Sequence, residues 1–524
     1  MKLKTVAATF ALAVSCTAPT AFPEQPKNVI IILTDNQSPG LLAAYGNPDI
    51  RTPHIDALAR SGVTFMSAHA SSGVCSPSRA TLLTGLLPSQ TGVHNALPSQ
   101  PGLENWSAIA EFQNLPGQLS FEGYTTALIG KYHLGRHDQA QLGFDTWVTF
   151  PSGHTERFFD VEIIENGQTY VTEQHLTDFW TDKAVEFIES AAAEEAPFFL
   201  LLSYNGPYGL PPVVNADYEN RYTDYYQANP PRLPQRPVGT NLKNWAQEGD
   251  PATYSERHGI TPWSAIEALN NQRAMTNLAA ETSMIDDGVG DVMAALERSG
   301  ELDNTLVIYT SDQGASIGQR GLWGNSSWSW PFAAYEANSL VPLIVSDNGN
   351  LIRENKTADA IVNQYDVYPT ILDILGQDAE VPRSPGKSFF SMLTGSGDAP
   401  ESASAIFDYM TVRSIRTDRF RFIKRLLTGE VELYDRHQDA EELNNVASNP
   451  DYADIRAALE NDMEEFFTEY ADPKYDLWRG GAAKARMLDG GRLDQYRSLF
   501  PGWDKTELAH SEAYNYQAGI VSGK

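Results

Sequence analysis

The 524-residue sequence predicts an α/β fold: a mostly parallel sheet sandwiched by helices, followed by a smaller C-terminal α+β domain. Three observations carry this prediction. Continuous runs of apolar and β-branched residues recur at the length of buried strands. Helical patterns lie between them, and strands alternating with helices build a parallel sheet covered on both faces. Beyond residue 400 the pattern becomes short alternating segments, as in antiparallel strands.

The first buried run is Asn28-Val29-Ile30-Ile31-Ile32-Leu33, which ends in Thr34-Asp35-Asn36. Pro197 to Ser203 is the second. Thr305 to Thr310 is the third and leads into Ser311-Asp312-Gln313; Leu340 to Ser346 is the fourth. Helical patterns cover residues 54–61, 78–85, 176–193 and 270–299. Polar residues therefore gather at C-terminal strand ends, the edge where open α/β sheets bind ligands. Residues 205–240, rich in Pro, Tyr and Asn, and residues 376–400, rich in Gly, Pro and Ser, read as loops. Val412 to Arg416, Phe420 to Lys424 and Glu432 to Asp435 alternate like antiparallel strands, and a helix is expected over 451–469. The expected organisation is a signal peptide over 1–21, an α/β domain carrying the active site over 22–395, the α+β domain over 400–485 and a tail over 486–524.

The N-terminus has the layout of a signal peptide. Lys2 and Lys4 precede the apolar run Val6 to Val14, and small residues follow from Ser15 to Ala21. A secreted or periplasmic location is expected. Cys16 raises lipid anchoring as an alternative, which Ala13-Val14-Ser15 fits poorly. No later window holds the roughly 20 uninterrupted apolar residues of a membrane span. The formal charge of -29 disfavours nucleic acid as a partner, and an anionic substrate would need a local positive pocket. Cys16 and Cys75 are the two cysteines, so removal of the signal peptide would leave Cys75 alone, without a disulfide. A single thiol in an exported protein is a liability unless it is used or modified.

Cys75-Ser76-Pro77-Ser78-Arg79-Ala80-Thr81-Leu82-Leu83-Thr84-Gly85 carries the strongest chemical signal. It reads as a loop feeding a helix, with Pro77 in the first turn. A helix N-terminus offers free amides to an anion. Cys75 and Arg79, four residues apart, can share one side of the first turn. A nucleophile beside a fixed cation suits hydrolysis of a sulfate or phosphate ester. Asp35, Asn36, Asp312 and Gln313 offer oxygen ligands at two strand ends, which suits calcium or magnesium and not zinc. Taken alone, each pair is as compatible with a helix cap or a turn. Lys131 and His133, two apart, could project to one face of an extended strand end.

Cys-x-Pro-Ser-Arg followed by Ala-x-Leu-x-Thr-Gly resembles the signature of the type I sulfatases, which have an alkaline-phosphatase-like fold. Gly130-Lys131-Tyr132-His133-Leu134-Gly135 resembles that family's second signature, and the Asp35 and Asp312 strand ends resemble its metal-binding strands. Arg413 to Asp418 and Glu432 to Asp435 are similar to its C-terminal domain. The resemblance implies a sulfatase; export, the aromatic segment and the long loops near the strand ends favour a sulfated carbohydrate as substrate, such as an algal polysaccharide like carrageenan. It implies that Cys75 is oxidised to formylglycine by a formylglycine-generating or anaerobic sulfatase-maturating enzyme. It implies calcium, in preference to magnesium, held by Asp35, Asn36, Asp312, Gln313 and residue 75. The hydrated aldehyde would attack sulfur; Lys131 would bind sulfate, Arg79 would steady residue 75 and the metal side, and His133 would help release sulfate.

Two departures from the family pattern bear on the leaving group. Gly206-Pro207-Tyr208 stands where the family commonly reads Pro-His, leaving Tyr208, His154, His175 or His258 as candidates near the departing alcohol. Asn325 follows Gly321-Leu322-Trp323-Gly324 where a sulfate-binding Lys is common. Asn36 stands where the family usually has a second Asp, which lowers the charge of the metal set, and Gln313 stands where the family has Asn or His. Tyr208, Trp323 and Asn325 are expected to contact substrate, and the aromatic segment Trp323 to Trp330 suits either a sugar ring or the core. Arg221, Arg232 and Arg236 could meet a polyanion or be solvated loop charges. A phosphodiester or phosphonate monoester hydrolase, and a non-catalytic binder of sulfated glycan, are the alternatives.

Overall fold

The computed structural model describes residues 27–484 apart from 98–106, 136, 152, 154, 156, 209–217, 233–235, 240–265, 330, 349–350, 398–403 and 427. The expected signal peptide and tail therefore lie outside the described residues. Sixteen strands are described in three sheets. They are β1 (Asn28–Asp35), β2 (Gly62–His69), β3 (Thr125–Gly130), β4 (Thr146–Thr149), β5 (Val161–Glu165), β6 (Gln168–Thr172), β7 (Phe198–Pro207), β8 (Thr305–Ser311), β9 (Ser316–Ile317), β10 (Trp323–Gly324), β11 (Leu340–Ser346), β12 (Lys356–Asn363), β13 (Ala405–Tyr409), β14 (Val412–Arg416), β15 (Phe420–Arg425) and β16 (Val431–Asp435).

The main sheet has the order β12-β2-β11-β8-β1-β7-β3-β4-β5-β6. β1 lies between β8 and β7 and is parallel to both. Every residue of β1 is buried, as its unbroken apolar run requires. Its side chains divide by parity: Ile30 and Ile32 enter one core, and Val29, Ile31 and Leu33 the other. The helices Leu176–Ala191 and Gln272–Ser299 close the first face through Trp180, Ile188, Leu278, Ile285 and Val292. The helices Cys75–Thr84 and Val367–Ile374 close the second through Ala80, Leu82, Tyr368 and Ile371. Each such aliphatic side chain taken from water contributes about 1.5–3 kcal/mol. The α/β sandwich is as expected.

β11 departs from the parallel arrangement. It runs antiparallel to both β8 and β2. The chain between Ser311 and Leu340 builds the small β9–β10 hairpin and one four-residue helix, Glu336–Ser339. A parallel return needs a crossover that carries the chain to the opposite edge. This connection stays at the C-terminal edge of β8, so β11 begins there and runs back.

β13 to β16 form an antiparallel sheet in sequence order. The helix Ala453–Tyr470 covers it through Leu459, Met463 and Phe467, spaced to share one face and packed with Ile415, Phe422 and Leu433. A further apolar cluster, including Val74, Tyr208, Trp328, Phe332, Tyr409 and Val412, joins this sheet to the loops at the C-terminal edge of the main one. A buried ionic cluster does the same: Arg421 on β15 reaches Glu336 and, at 2.7 Å, Glu442. Among the described residues, no helix is long and apolar enough to cross a membrane.

Candidate active site

Parallel pairing of β1 with β8 sets the register that matters most. Thr34 lies opposite Ser311, so Asp35 and Asp312 leave adjacent strand ends together. The Asp312 amide donates to the Thr34 carbonyl at 3.0 Å, and the Asn36 amide to Asp312 Oδ1 at 3.1 Å. Asn36 has a left-handed backbone (φ 57°), a conformation Asn tolerates better than most residues. Gln364 Nε2 fixes the other side of the loop by donating to the Asp312 carbonyl at 3.1 Å.

The helix Cys75–Thr84 points its N-terminus at these strand ends. Cys75 Sγ lies 3.6 Å from Asp35 Oδ1, and Cys75 is 4% exposed. Potential ligand atoms of Asp35, Cys75 and Asp312 all lie within 4.8 Å of one another. Arg79, one helical turn on, donates through Nε to Asp312 Oδ2 at 3.0 Å. Its Nη1 reaches the Lys131 carbonyl at 2.6 Å and Ser203 Oγ at 2.7 Å, and Nη2 lies 3.5 Å from Asp35. Lys131 Nζ contacts Asp35 Oδ2 and lies 3.4 Å from Cys75 Sγ. Two buried carboxylates thus face two buried cations around residue 75. Burial, then the neighbouring Asp35 and Asp312, pushes the Cys75 thiol up to about 12 against the pull of Lys131 and Arg79. Burial and Asp35 hold the Asp312 carboxyl up to about 6. Burial pulls the Lys131 ammonium down, but Asp35 and Cys75 more than offset this and leave it raised.

Lys131 and His133 are not placed by strand alternation. β3 ends at Gly130, whose φ of 109° requires glycine; a Cβ there would meet the Ser203 carbonyl at 1.9 Å. His133 has a left-handed backbone, and its Nε2–H donates to the Leu97 carbonyl at 3.1 Å. The Leu97 amide in turn donates to Ser76 Oγ at 3.0 Å, so His133 is linked to the residue beside Cys75. Tyr208 is buried, its amide donates to the Asp35 carbonyl at 3.1 Å, and its ring centroid lies 5.5 Å from Lys131 Nζ.

Asn325 lies beside Asn36: its Nδ2 donates to Asn36 Oδ1 at 3.3 Å. Trp323 does not present a sugar-binding face. It is 1% exposed and belongs to the apolar core with Ile317, because β10 folds back on β9. Trp328 is likewise buried, in the cluster that joins the C-terminal sheet. His175 caps the helix Leu176–Ala191, accepting from the Thr177 amide, and its Nε2 lies 3.4 Å from buried Glu281. His154 and His258 lie outside the described residues. Each loop arginine is paired: Arg221 with Asp178 and Asp287, Arg232 with Asp49, and Arg236 with Glu441. Ser203, Ser76 and Gln364 also hydrogen-bond within the site and were not singled out from sequence. Ser203 was within reach, since it ends a recognisable buried strand beside β1.

The "Sulfatase" family model matches residues 27–377, about two thirds of the chain. The chain belongs to the sulfatase family. It is thereby a sulfuric ester hydrolase of alkaline-phosphatase-like fold. A second model, described as the C-terminal part of N-sulphoglucosamine sulphohydrolase, matches residues 328–469. An N-acetylglucosamine-6-O-sulfatase of Bacteroides thetaiotaomicron is 27% identical over 518 residues, covering 87% of this chain and 89% of that one. An ulvan-active sulfatase of Formosa agariphila is 24% identical over 473 residues, covering 86% and 82%. A solved structure of a protein in complex with its substrate D-glucosamine-2-N,6-O-disulfate superposes with a TM-score of 0.69 at 24% identity, covering 86% of this chain and 99% of that one.

Sulfatases use a formylglycine and a metal ion, and the residues here fit both. Asp35, Asn36, Asp312 and Gln313 are all buried and supply oxygen donors, the set a hard cation takes. Asn36 Nδ2 and Gln313 Oε1 are buried without a hydrogen-bond partner. Gln313 Nε2 meets Asn36 Oδ1 at 2.6 Å, so turning that amide over would bring two amide oxygens together with two carboxylates. That convergence is unfavourable without a cation and favourable with one.

Proposed function

We propose that this sulfatase hydrolyses sulfate esters of a carbohydrate outside the cytoplasm, with residue 75 as formylglycine and calcium held by Asp35, Asn36, Asp312, Gln313 and residue 75. The observation that carries the reading is the meeting of one helix N-terminus with two strand ends, placing residue 75 between Asp35, Asp312 and Lys131. The names of two relatives, one acting on N-acetylglucosamine 6-sulfate and one on ulvan, support a sugar sulfate.

As formylglycine, residue 75 would supply a hydroxyl to sulfur as the ester S–O bond breaks and the sugar alcohol departs, and a second hydroxyl whose proton loss restores the aldehyde as sulfate leaves; calcium held by Asp35, Asn36, Asp312 and Gln313 would supply positive charge. The chain's own residues do the rest. Lys131, held by Asp35 and already beside residue 75, offers its ammonium to a sulfate oxygen. Arg79 has its guanidinium committed to Asp312, Ser203 and the Lys131 carbonyl, so it orients the site. His133 is tied to the backbone that borders residue 76 and moves a proton on sulfate release. Tyr208 lines the pocket over Lys131. Burial of these groups excludes water and strengthens each electrostatic contact. A signal peptide over 1–21 and a formylglycine-generating or anaerobic sulfatase-maturating enzyme belong to the same reading.

The test uses protein whose residue 75 has been verified as formylglycine by mass spectrometry. Sulfate release is measured on 6-sulfated N-acetylglucosamine and on carrageenan and ulvan oligosaccharides, with an aryl phosphonate monoester alongside. Release from at least one sugar sulfate is expected. Turnover of the phosphonate ester alone, or glycan binding without release, would overturn the proposal.

A further inference from the structure

Asn325 was expected to meet substrate, but both ends of its side chain are engaged within the protein. Its Oδ1 accepts from the Ser327 amide at 3.1 Å and from Ser327 Oγ at 2.7 Å, capping the short 3-10 turn Ser326–Trp328. A backbone N–H can only donate, so this contact fixes which end of the amide is oxygen. The other end, Nδ2, must then face Asn36, and it donates to Asn36 Oδ1 at 3.3 Å. The orientation passes along this chain of contacts. A donor at Asn325 demands an oxygen at the facing atom of Asn36, which also accepts from Gln313 Nε2 at 2.6 Å. With the Gln313 amide turned over to offer its own oxygen to a cation, Asn325 is the donor that still holds Asn36, whose Nδ2 is buried without a hydrogen-bond partner. An asparagine can present either atom to a cation, and only oxygen binds one; a carboxylate has no such ambiguity.

We infer that Asn325 is a positioning residue for the metal site, orienting the Asn36 amide so that its oxygen faces the ion. The inference rests on the proposed calcium site and deepens it. It also gives a reason for an asparagine where the family often has a sulfate-binding lysine: an ammonium there could not both cap Ser327 and hold Asn36. The hairpin β9–β10 carries Asn325 to this place, and Asn338 braces it by donating to the Gly324 carbonyl at 3.3 Å.

The experiment is a double-mutant cycle on the full-length protein, stripped with chelator and titrated calorimetrically with calcium chloride alone. Asn325→Ala is expected to weaken calcium binding by roughly 10–100-fold, as loss of an outer partner of a metal ligand does. In an Asn36→Asp background the same substitution should cost less than about twofold, because a carboxylate needs no orienting. Asn325→Ser, which keeps a hydroxyl donor, provides a milder variant with a smaller loss should the alanine protein fail to fold. Equal losses in both backgrounds, or unchanged calcium affinity with only KM raised, would overturn the inference and return Asn325 to substrate binding. Absence of calcium binding by the unmutated protein would overturn the metal proposal itself, an outcome distinct from normal binding that Asn325→Ala leaves untouched.

Discussion

Replacing Arg79 with alanine should destabilise the metal-free protein severely and calcium should restore much of the loss. Asp35 and Asp312 are both fully buried, and Arg79 and Lys131 balance their charge within the site. Arg79 Nη2 lies 2.9 Å from Asp312 Oδ2. At an effective dielectric of about 20, such a pair attracts by roughly 5–6 kcal/mol, most of which offsets the cost of desolvating both ions. Removing one partner keeps that cost and loses the attraction, so about 3–5 kcal/mol of stability should disappear. That is a large share of a total of roughly 5–15 kcal/mol. The site left behind is one charge more negative, so it should bind calcium more tightly, and the shift produced by a fixed calcium concentration should exceed that of the unmutated protein. The assay is urea unfolding in chelator and in millimolar calcium, with and without the substitution. A loss below about 1 kcal/mol in chelator, or an identical calcium shift for both proteins, would refute the charge-balance reasoning.

Cys75→Ser should abolish sulfate release while changing the urea midpoint little, since the replacement is near-isosteric; persistent turnover in mass-verified protein would contradict the assigned nucleophile. Trp323→Phe should cost about 1–2 kcal/mol of stability and leave KM for sugar sulfates unchanged, because the indole is enclosed in the core; a raised KM would place Trp323 in the substrate site. Arg421→Ala should cost about 3–5 kcal/mol, with much of it recovered by Glu442→Gln in the same chain, because Arg421 bridges Glu336 and Glu442 between the two sheets. Burial holds the Asp366 carboxyl up to about 7, against the opposing amides of Lys387 and Asn363. Its folded pKa lies above the unfolded value of about 3.9, so its contribution is complete below pH 4 and is lost as pH rises through 7. Asp366→Asn, which mimics the neutral acid, should therefore flatten the fall in unfolding free energy between pH 4 and 7.

The parallel core was legible because β1, β7 and β8 are buried on both faces, and a strand in that position must be apolar without interruption. Their order in the sheet was not, nor was the reversal of β11, since its sequence Leu340 to Ser346 is equally apolar in either direction. β2 was not read as a strand although it is long and almost wholly buried, and β4, β5, β6 and β12 escaped notice because they are short or partly exposed and their patterns resemble loops. The strand β13 escaped because it follows a Gly-, Pro- and Ser-rich stretch that masks its start.

Within the site, residue types alone left Cys75, Arg79 and the two strand ends open to cap, turn or core readings; the resemblance of their motifs to the sulfatases is what singled them out as candidate nucleophile, cation and oxygen donors. Orientation was settled elsewhere. Lys131 reaches residue 75 through a glycine turn, His133 is aimed by Leu97, and Asn325 arrives on a hairpin folded back from β8. Trp323 shows the same limit from the other side: an aromatic residue beside polar neighbours suits a sugar or a core equally, and only the packing of β10 against β9 buried it. Sequence specified which groups were present; contacts between segments up to 289 residues apart decided where each one points, because those contacts exist only after the chain has closed.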